Sequence, residues 1–346
     1  MTQAADCYAG FDLGTSGCRL MVIDAQVELL HEDRVSYEDG VEQTPELWWA
    51  AVQVLLDDLP GALHDRLAAV AVDGTSGTVL LTDAAGRPTS PALMYNDNRA
   101  LAEAETVAAL APRNSGAHGA TSGLAKLLWL LAQYPDPAHA HVLHQADWIA
   151  GQLAGAFGFS DENNCLKMGY DPVQRVWPAW LKTLVPEHLL PQVYEPGQAI
   201  SLPRTAAVLD RRVRIRAGTT DSIAAFIATG ADQIGEAVTS LGSTLALKIL
   251  CEQPVFAPEF GWSPAGERWL AGGASNTGGA VLLVHFSREE LAQLTEHLQP
   301  EQLTGLDYYP LLKPGERFPQ ADPHLSPRLS PRPENDVLFL QGMLEG

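Results

Sequence analysis

The stretch that most constrains this chain runs from Tyr8 to Ile23, Tyr-Ala-Gly-Phe-Asp-Leu-Gly-Thr-Ser-Gly-Cys-Arg-Leu-Met-Val-Ile. An apolar run ends in Asp12, a tight Gly14-Thr15-Ser16-Gly17 turn follows, and Leu20 to Ile23 reads as a return strand. Glycines flanking two hydroxyl residues let backbone N–H groups converge on one small concavity, as in a turn that cradles phosphate oxygens. Asp12, at the strand's end, is placed to hold hydrated Mg2+ against those oxygens, because Mg2+ takes one or two carboxylates and keeps its waters. The plain alternative is an ordinary hairpin turn in which Asp, Gly and Ser serve only the backbone.

A second copy favours the phosphate reading. Thr239-Ser240-Leu241-Gly242-Ser243-Thr244 lies between two apolar segments, Glu236 to Val238 and Leu245 to Cys251. Aligned on the glycine, Leu13-Gly14-Thr15-Ser16 matches Leu241-Gly242-Ser243-Thr244, and Asp12 faces Ser240, so only the first copy keeps a carboxylate. Two such hairpins predict two related domains clasping one polyphosphate in the cleft between them. The chain, 346 residues with 46% hydrophobic content, is long enough for about two domains. Gly230 to Gly235 reads as the hinge, which gives a first domain over 1–230 and a second over 231–346.

A net charge of −20 repels nucleic acid and anionic membrane surfaces. Phosphate must therefore be neutralised locally, by a metal, backbone N–H groups and a few basic side chains. Cys7, Cys18, Cys165 and Cys251 are widely spaced, as expected of reduced thiols. No signal-peptide pattern and no apolar run of membrane-spanning length is present, so a soluble cytoplasmic protein is expected.

After the first hairpin the pattern predicts a strand over Val27 to Val35 and a helix from Pro45 to Leu59, with Trp48, Val52, Leu55, Leu56 and Leu59 on one face. Leu67 to Val72 then reads as a buried strand. Three strands, a helix and a strand open a ribonuclease-H-like domain, the α/β plan of actin-like ATPases and hexokinases. The strand leads into Asp73-Gly74-Thr75-Ser76-Gly77, a third glycine-hydroxyl turn whose place beside the first suits a substrate role better than a phosphate clamp; a capped turn is the alternative. Thr78 to Thr82 and Pro91 to Tyr95 read as a hairpin. Asn96-Asp97-Asn98-Arg99 opens an Ala-rich helix to Leu110, and such junctions either line sites or cap helices. Leu124 to Leu131 and Asp147 to Ala154 read as helices, and Pro178 to Leu184 as a helix carrying a Trp. His139, His141 and His144 read as partly exposed structural residues rather than metal ligands, and Ser160 to Asn164 as a polar loop.

Val213 to Ala217 reads as a strand ending in Gly218-Thr219-Thr220-Asp221, before a helix from Ser222 to Ala228. Asp221 is the candidate catalytic base, since a carboxylate can accept the proton of an acceptor hydroxyl during phosphoryl transfer. Its alternative role is to cap that helix. Further on, Gly272-Gly273-Ala274-Ser275-Asn276-Thr277-Gly278-Gly279 reads as a glycine-rich turn that either lets backbone approach a nucleotide or permits tight packing. Ser287-Arg288-Glu289-Glu290 opens a helix to Leu298 as a capping box, and Tyr308 to Pro333 is proline-rich and irregular.

Taken together these motifs resemble the FGGY carbohydrate kinases. The resemblance rests on Phe11-Asp12-Leu13-Gly14-Thr15-Ser16 with Arg19, Asn96-Asp97-Asn98-Arg99, Gly218-Thr219-Thr220-Asp221, Gly242-Ser243-Thr244, and Gly315-Glu316-Arg317-Phe318-Pro319 with Asp322-Pro323. Asp73 to Thr78 and Gly272 to Asn276 look most like the plant and cyanobacterial ribulose/xylulose-type members. The resemblance implies two ribonuclease-H-like domains around a central cleft and ATP-dependent phosphorylation of a ketopentose, D-ribulose foremost. It implies Asp221 as base and Asp12 as the acid beside Mg2+ and the substrate. Ser76, Asp97 and Asp221 would bind sugar. Gly14, Thr15, Ser16, Arg19, Gly242, Ser243, Thr244 and Gly273 would bind ATP. The family continues beyond the position of Gly346 into an adenosine-binding motif, so the second domain is expected to be truncated here. Two other functions are weighed: a sugar-binding module without kinase activity, and an actin-like ATPase, against which the Asp73 to Thr78 turn and Asp221 argue.

Overall fold

Alternation dictates the first sheet. The computed structural model describes residues 6–38, 40–201, 208–210, 212–242, 245–256 and 261–346. The chain divides into two compact units, Met1–Ala228 and Thr229–Gly346. In the first, β1 (Cys7–Leu13), β2 (Gly17–Asp24) and β3 (Leu29–Ser36) form an antiparallel meander. Cys7, Ala9, Phe11 and Leu13 of β1 point into the core together with Cys18, Leu20 and Val22 of β2, as a period of two requires. Helix α1 (Pro45–Asp57) begins where expected: the Thr44 hydroxyl accepts the Leu47 N–H at 3.3 Å and Pro45 occupies the first turn. Its Trp48, Val52 and Leu55 are wholly buried in the same core.

After α2 (Gly61–His64), β4 (Leu67–Gly74) pairs parallel with β1. A second set of elements follows: β5 (Val79–Thr82), α3 (Leu101–Leu110), α4 (Gly123–Gln133), β6 (His141–His144), α5 (Gln145–Ala154), β7 (Phe159–Asp161), α6 (Glu162–Leu166), α7 (Ala179–Lys182) and β8 (Gln192–Tyr194). The chain then returns to the main sheet through β9 (Arg214–Ile215) and β10 (Thr219–Thr220), both parallel to β4, before α8 (Asp221–Ile227). The main sheet has the order β10-β4-β1-β2-β3, with β9 also on β4.

Several expectations need correcting. Pro91 to Tyr95 returns antiparallel beside β5 as expected, but through isolated bridges rather than as a strand: Leu93 exchanges two backbone hydrogen bonds with Val79, at 2.9 and 3.1 Å, and Pro88 bridges Thr82. Pro91 has no N–H to donate and the Ser90 hydroxyl takes the Leu81 N–H, which interrupts the ladder on that edge, while β5 pairs with β6 along its other edge. Ser160 to Asn164 is a buried strand-to-helix junction rather than a polar loop, tolerated because Asp161 accepts the N–H groups of both Asn163 and Asn164. His139 and His144 are buried, and His144 Nδ1 meets the Asp147 carboxylate at 2.8 Å. No group of three His, Cys, Asp or Glu able to hold a metal exists among the described residues.

The second unit has a four-stranded antiparallel sheet, β11 (Ala237–Leu241), β12 (Leu245–Cys251), β13 (Gly261–Ala265) and β14 (Arg268–Ser275), in the order β11-β12-β14-β13. Helices α9 (Gly279–His285), α10 (Arg288–Thr295) and α11 (Asp336–Glu345) complete it, with Phe286, Tyr308, Phe339, Leu340 and Met343 as core. The capping box forms as expected, Ser287 accepting the Glu290 N–H and Glu290 the Ser287 N–H. All three pairings in this sheet are antiparallel, whereas the first unit adds parallel strands to its antiparallel meander. No helix among the described residues is long and apolar enough to cross a membrane.

Candidate active site

The parallel strands β1, β4 and β10 lie side by side in the first unit, so their C-terminal ends share one edge of the sheet. Each delivers a carboxylate there. Asp12 and Asp73 are register partners, and Thr219 and Thr220 pair with Asp73 and Gly74, which brings Asp221, the next residue, to the same edge. Gly218 permits this close pairing: a Cβ there would lie 1.7 Å from the Val72 carbonyl oxygen.

The three acids have different surroundings. Asp12 accepts from Arg19 Nη1 at 2.9 Å, the arginine being its partner across the β1–β2 pair. Among the described residues Asp73 has no such cation. Burial first, then the charge and hydrogen bond of Asp12 and the charge of Asp221, push its carboxyl up to about 8, and its Oδ1 is buried without a hydrogen-bond partner. Asp221 accepts the Ser222 N–H through Oδ1 at 2.6 Å. Adjacent carboxylates that repel one another, one with an unpartnered oxygen, fit a hydrated divalent cation, and Asp12 with Asp73 could hold Mg2+ through carboxylate oxygens and water. Asp73 was absent from the sequence-derived candidates; its signal was a position at the end of a buried strand like that of Asp12.

The Gly14-Thr15-Ser16-Gly17 turn closes beside Asp12. Gly14 N–H donates to the Gly17 carbonyl at 3.0 Å, and the Tyr37 N–H and Gln43 Nε2 bind the Ser16 and Thr15 carbonyls. The carbonyls are thus tied to the body of the unit, while Thr15 and Ser16 remain exposed. A Cβ on Gly17 would lie 2.2 Å from the Val35 carbonyl oxygen, so the turn needs glycine there.

The Asp73 to Thr78 turn is held from behind. Gln145 is fully buried at the start of α5, and its Oε1 accepts both the N–H and the hydroxyl of Thr75, at 3.0 and 2.7 Å. The Thr75 and Thr78 hydroxyls are 2.6 Å apart. Ser76 is left half-buried, and its carbonyl faces Lys167 Nζ at 3.4 Å. Asp97 stands on a separate loop. Burial acts to raise its carboxyl, but hydrogen bonds from the Arg99 side chain and backbone, with the charges of Arg99 and Lys126, outweigh it and hold it below the usual range. Lys126 is wholly buried and donates to the Met94 carbonyl at 2.7 Å, anchoring the loop that carries Asp97.

In the second unit Gly242 follows β11, and its carbonyl accepts the Gly279 N–H at 2.8 Å; Ser243 and Thr244 lie outside the described residues. Gly272 and Gly273, expected on a turn, are inside β14. A Cβ on Gly273 would lie 2.3 Å from the Phe318 ring, which fills that space, so close packing accounts for this glycine. Glu316 ties the irregular segment to β14, accepting from the Ser275 hydroxyl at 2.6 Å and the Asn276 N–H at 2.8 Å.

The sequence is 27% identical over 260 residues to a xylulose kinase of Streptomyces coelicolor, an alignment covering 68% of this chain and 52% of that one. The chain spans about half the length of the curated xylulose kinases it matches over that range. Its fold matches a solved xylulose kinase from Brucella ovis with a TM-score of 0.82 at 23% identity, over 98% of this chain and 76% of that one. It matches a Plasmodium falciparum glycerol kinase solved with ADP with a TM-score of 0.79 at 16% identity, over 100% and 77%. The profile described as the N-terminal domain of the FGGY family of carbohydrate kinases matches residues 7–228, and this chain belongs to that family.

Proposed function

We propose that the chain serves an ATP-dependent sugar kinase that transfers the γ-phosphoryl group to a hydroxyl of a ketopentose, D-ribulose foremost, giving the 5-phosphate. The observation that carries this reading is the shared strand edge where Asp12, Asp73 and Asp221 converge beside a phosphate-type turn. The names of the relatives point to D-xylulose, the C3 epimer of D-ribulose, which is the acceptor to set beside it.

In this reading Asp221 accepts the proton of the acceptor hydroxyl as its oxygen attacks the γ-phosphorus. The O–H bond breaks, a new O–P bond forms, and the bond from the γ-phosphorus to the bridging oxygen breaks to release ADP. Ser76 and Asp97 orient the sugar. Thr15 and Ser16 offer N–H and hydroxyl donors to phosphate in the turn that Gly14 closes, with Arg19 adding positive charge and Gly242, Ser243 and Thr244 as the second group of candidates for binding ATP. Mg2+, when bound beside Asp12, neutralises phosphate charge in an otherwise acidic protein.

A coupled ADP-release assay across D-ribulose, D-xylulose, ribitol, glycerol and gluconate tests the assignment. Release that depends on a ketopentose supports it. Release indifferent to sugar would point to a simple ATPase, and calorimetric sugar binding without ADP release to a binding module.

A further inference from the structure

Lys167 has no part in the reaction described so far, yet its placement is specific. It caps the C-terminus of α6, and its carbonyl accepts the Leu124 N–H at 3.1 Å. Two glycines leave room for it: a Cβ on Gly77 would meet its Cδ at 3.3 Å, and one on Gly123 its carbonyl oxygen at 3.5 Å. Gly77 has φ +86, so the turn bearing Ser76 takes a left-handed step where it passes the lysine stem. An ammonium carries three donors, and burying one without acceptors is costly. Among the described residues Lys167 Nζ has one hydrogen bond, the long 3.4 Å contact to the Ser76 carbonyl. Burial acts against its charge and the Asp221 carboxylate acts in favour, which places the ammonium within the field of the catalytic base. Lys126 is also near enough to be felt, but its Nζ is committed to Met94. A donor with spare capacity thus lies against the Ser76 turn and within the field of Asp221, near two residues that the kinase reading assigns to the acceptor sugar.

We propose that Lys167 is a substrate-contacting residue of the sugar site, its ammonium donating to an oxygen of the acceptor sugar; the proposal rests on the kinase reading. The alternative is a lysine that only balances the charge of Asp221.

Calorimetry on the full chain decides, with D-ribulose and D-xylulose as probes and Mg·ATP titrated separately. Removing a charged donor to a sugar oxygen weakens sugar binding by about 10- to 100-fold in Lys167→Met. Mg·ATP affinity and Tm are expected to stay near wild type, and Lys167→Arg to recover part of the loss. Wild-type sugar affinity in Lys167→Met overturns the proposal while leaving the kinase reading standing. Equal losses of sugar and Mg·ATP affinity with a lowered Tm also overturn it, since they mark a structural role. Wild-type protein that binds neither ketopentose sinks both.

Discussion

Replacing Lys126 by methionine tests how the loop bearing Asp97 is held. The side chain is wholly buried in α4, and burial together with the charge of Lys167 lowers its pKa from 10.5 to about 7 against the opposing pull of Asp97. Because the folded state binds this proton less readily than the unfolded state, the stability carried by the neutral amine is complete above 10.5. It is lost as pH falls through the folded value near 7. At ~1.4 kcal/mol for each pH unit, charging this amine costs the fold ~4–5 kcal/mol at pH 6.5. Methionine removes that cost and keeps the apolar stem, but gives up the hydrogen bond to the Met94 carbonyl, worth ~1 kcal/mol when the amine is neutral. Lys126→Met is therefore expected to be more stable than wild type by ~3 kcal/mol at pH 6.5, with the gain shrinking as pH approaches 10.5 and there turning into a loss of ~1 kcal/mol. Urea unfolding of the first unit at pH 6.5, 8.5 and 10 reads this. A difference independent of pH, or a variant less stable than wild type at pH 6.5, refutes the reasoning. The same variant should bind sugar more weakly, because the loop bearing Asp97 loses its anchor: a gain in stability with a loss of function.

Two other substitutions bear on the site and the second unit. Asp221→Asn keeps the shape but cannot accept the hydroxyl proton, so kcat should fall by about 100- to 10,000-fold while calorimetric sugar affinity stays near wild type; retained turnover removes Asp221 from its role. Gly273→Ala drives a Cβ into the Phe318 ring and should lower the Tm of the second unit, as overpacking costs ~1–3 kcal/mol; an unchanged Tm would mean that the ring moves aside freely and that packing does not explain the glycine.

Local chemistry made much of this protein legible from its residues alone. The β1–turn–β2 hairpin, the Pro45 helix with its buried Trp48 face, the Ser287 capping box and the helix opening at Asp221 all depend on contacts within a few residues, where periodicity and capping act directly. Even so, the proline-broken segment at Pro91 bridges β5 without completing a strand, and the continuous partner of β5 came from a distance: β6, about sixty residues onward in the chain.

The candidate site divides the same way. Residue type and strand end were enough to single out Asp12 and Asp221 in the sequence. What tertiary structure alone decided was their company. Asp73 stands beside Asp12 because β1 and β4 pair in parallel, and a parallel pair needs a crossover whose register no local pattern encodes. Lys167 reaches Ser76 across 91 residues, a contact that exists only once α6 has packed against the turn. The carboxylates could be named one by one from the chain; the burial and then the neighbouring charge that raise Asp73, and the ammonium set near Asp221, are properties of the folded molecule.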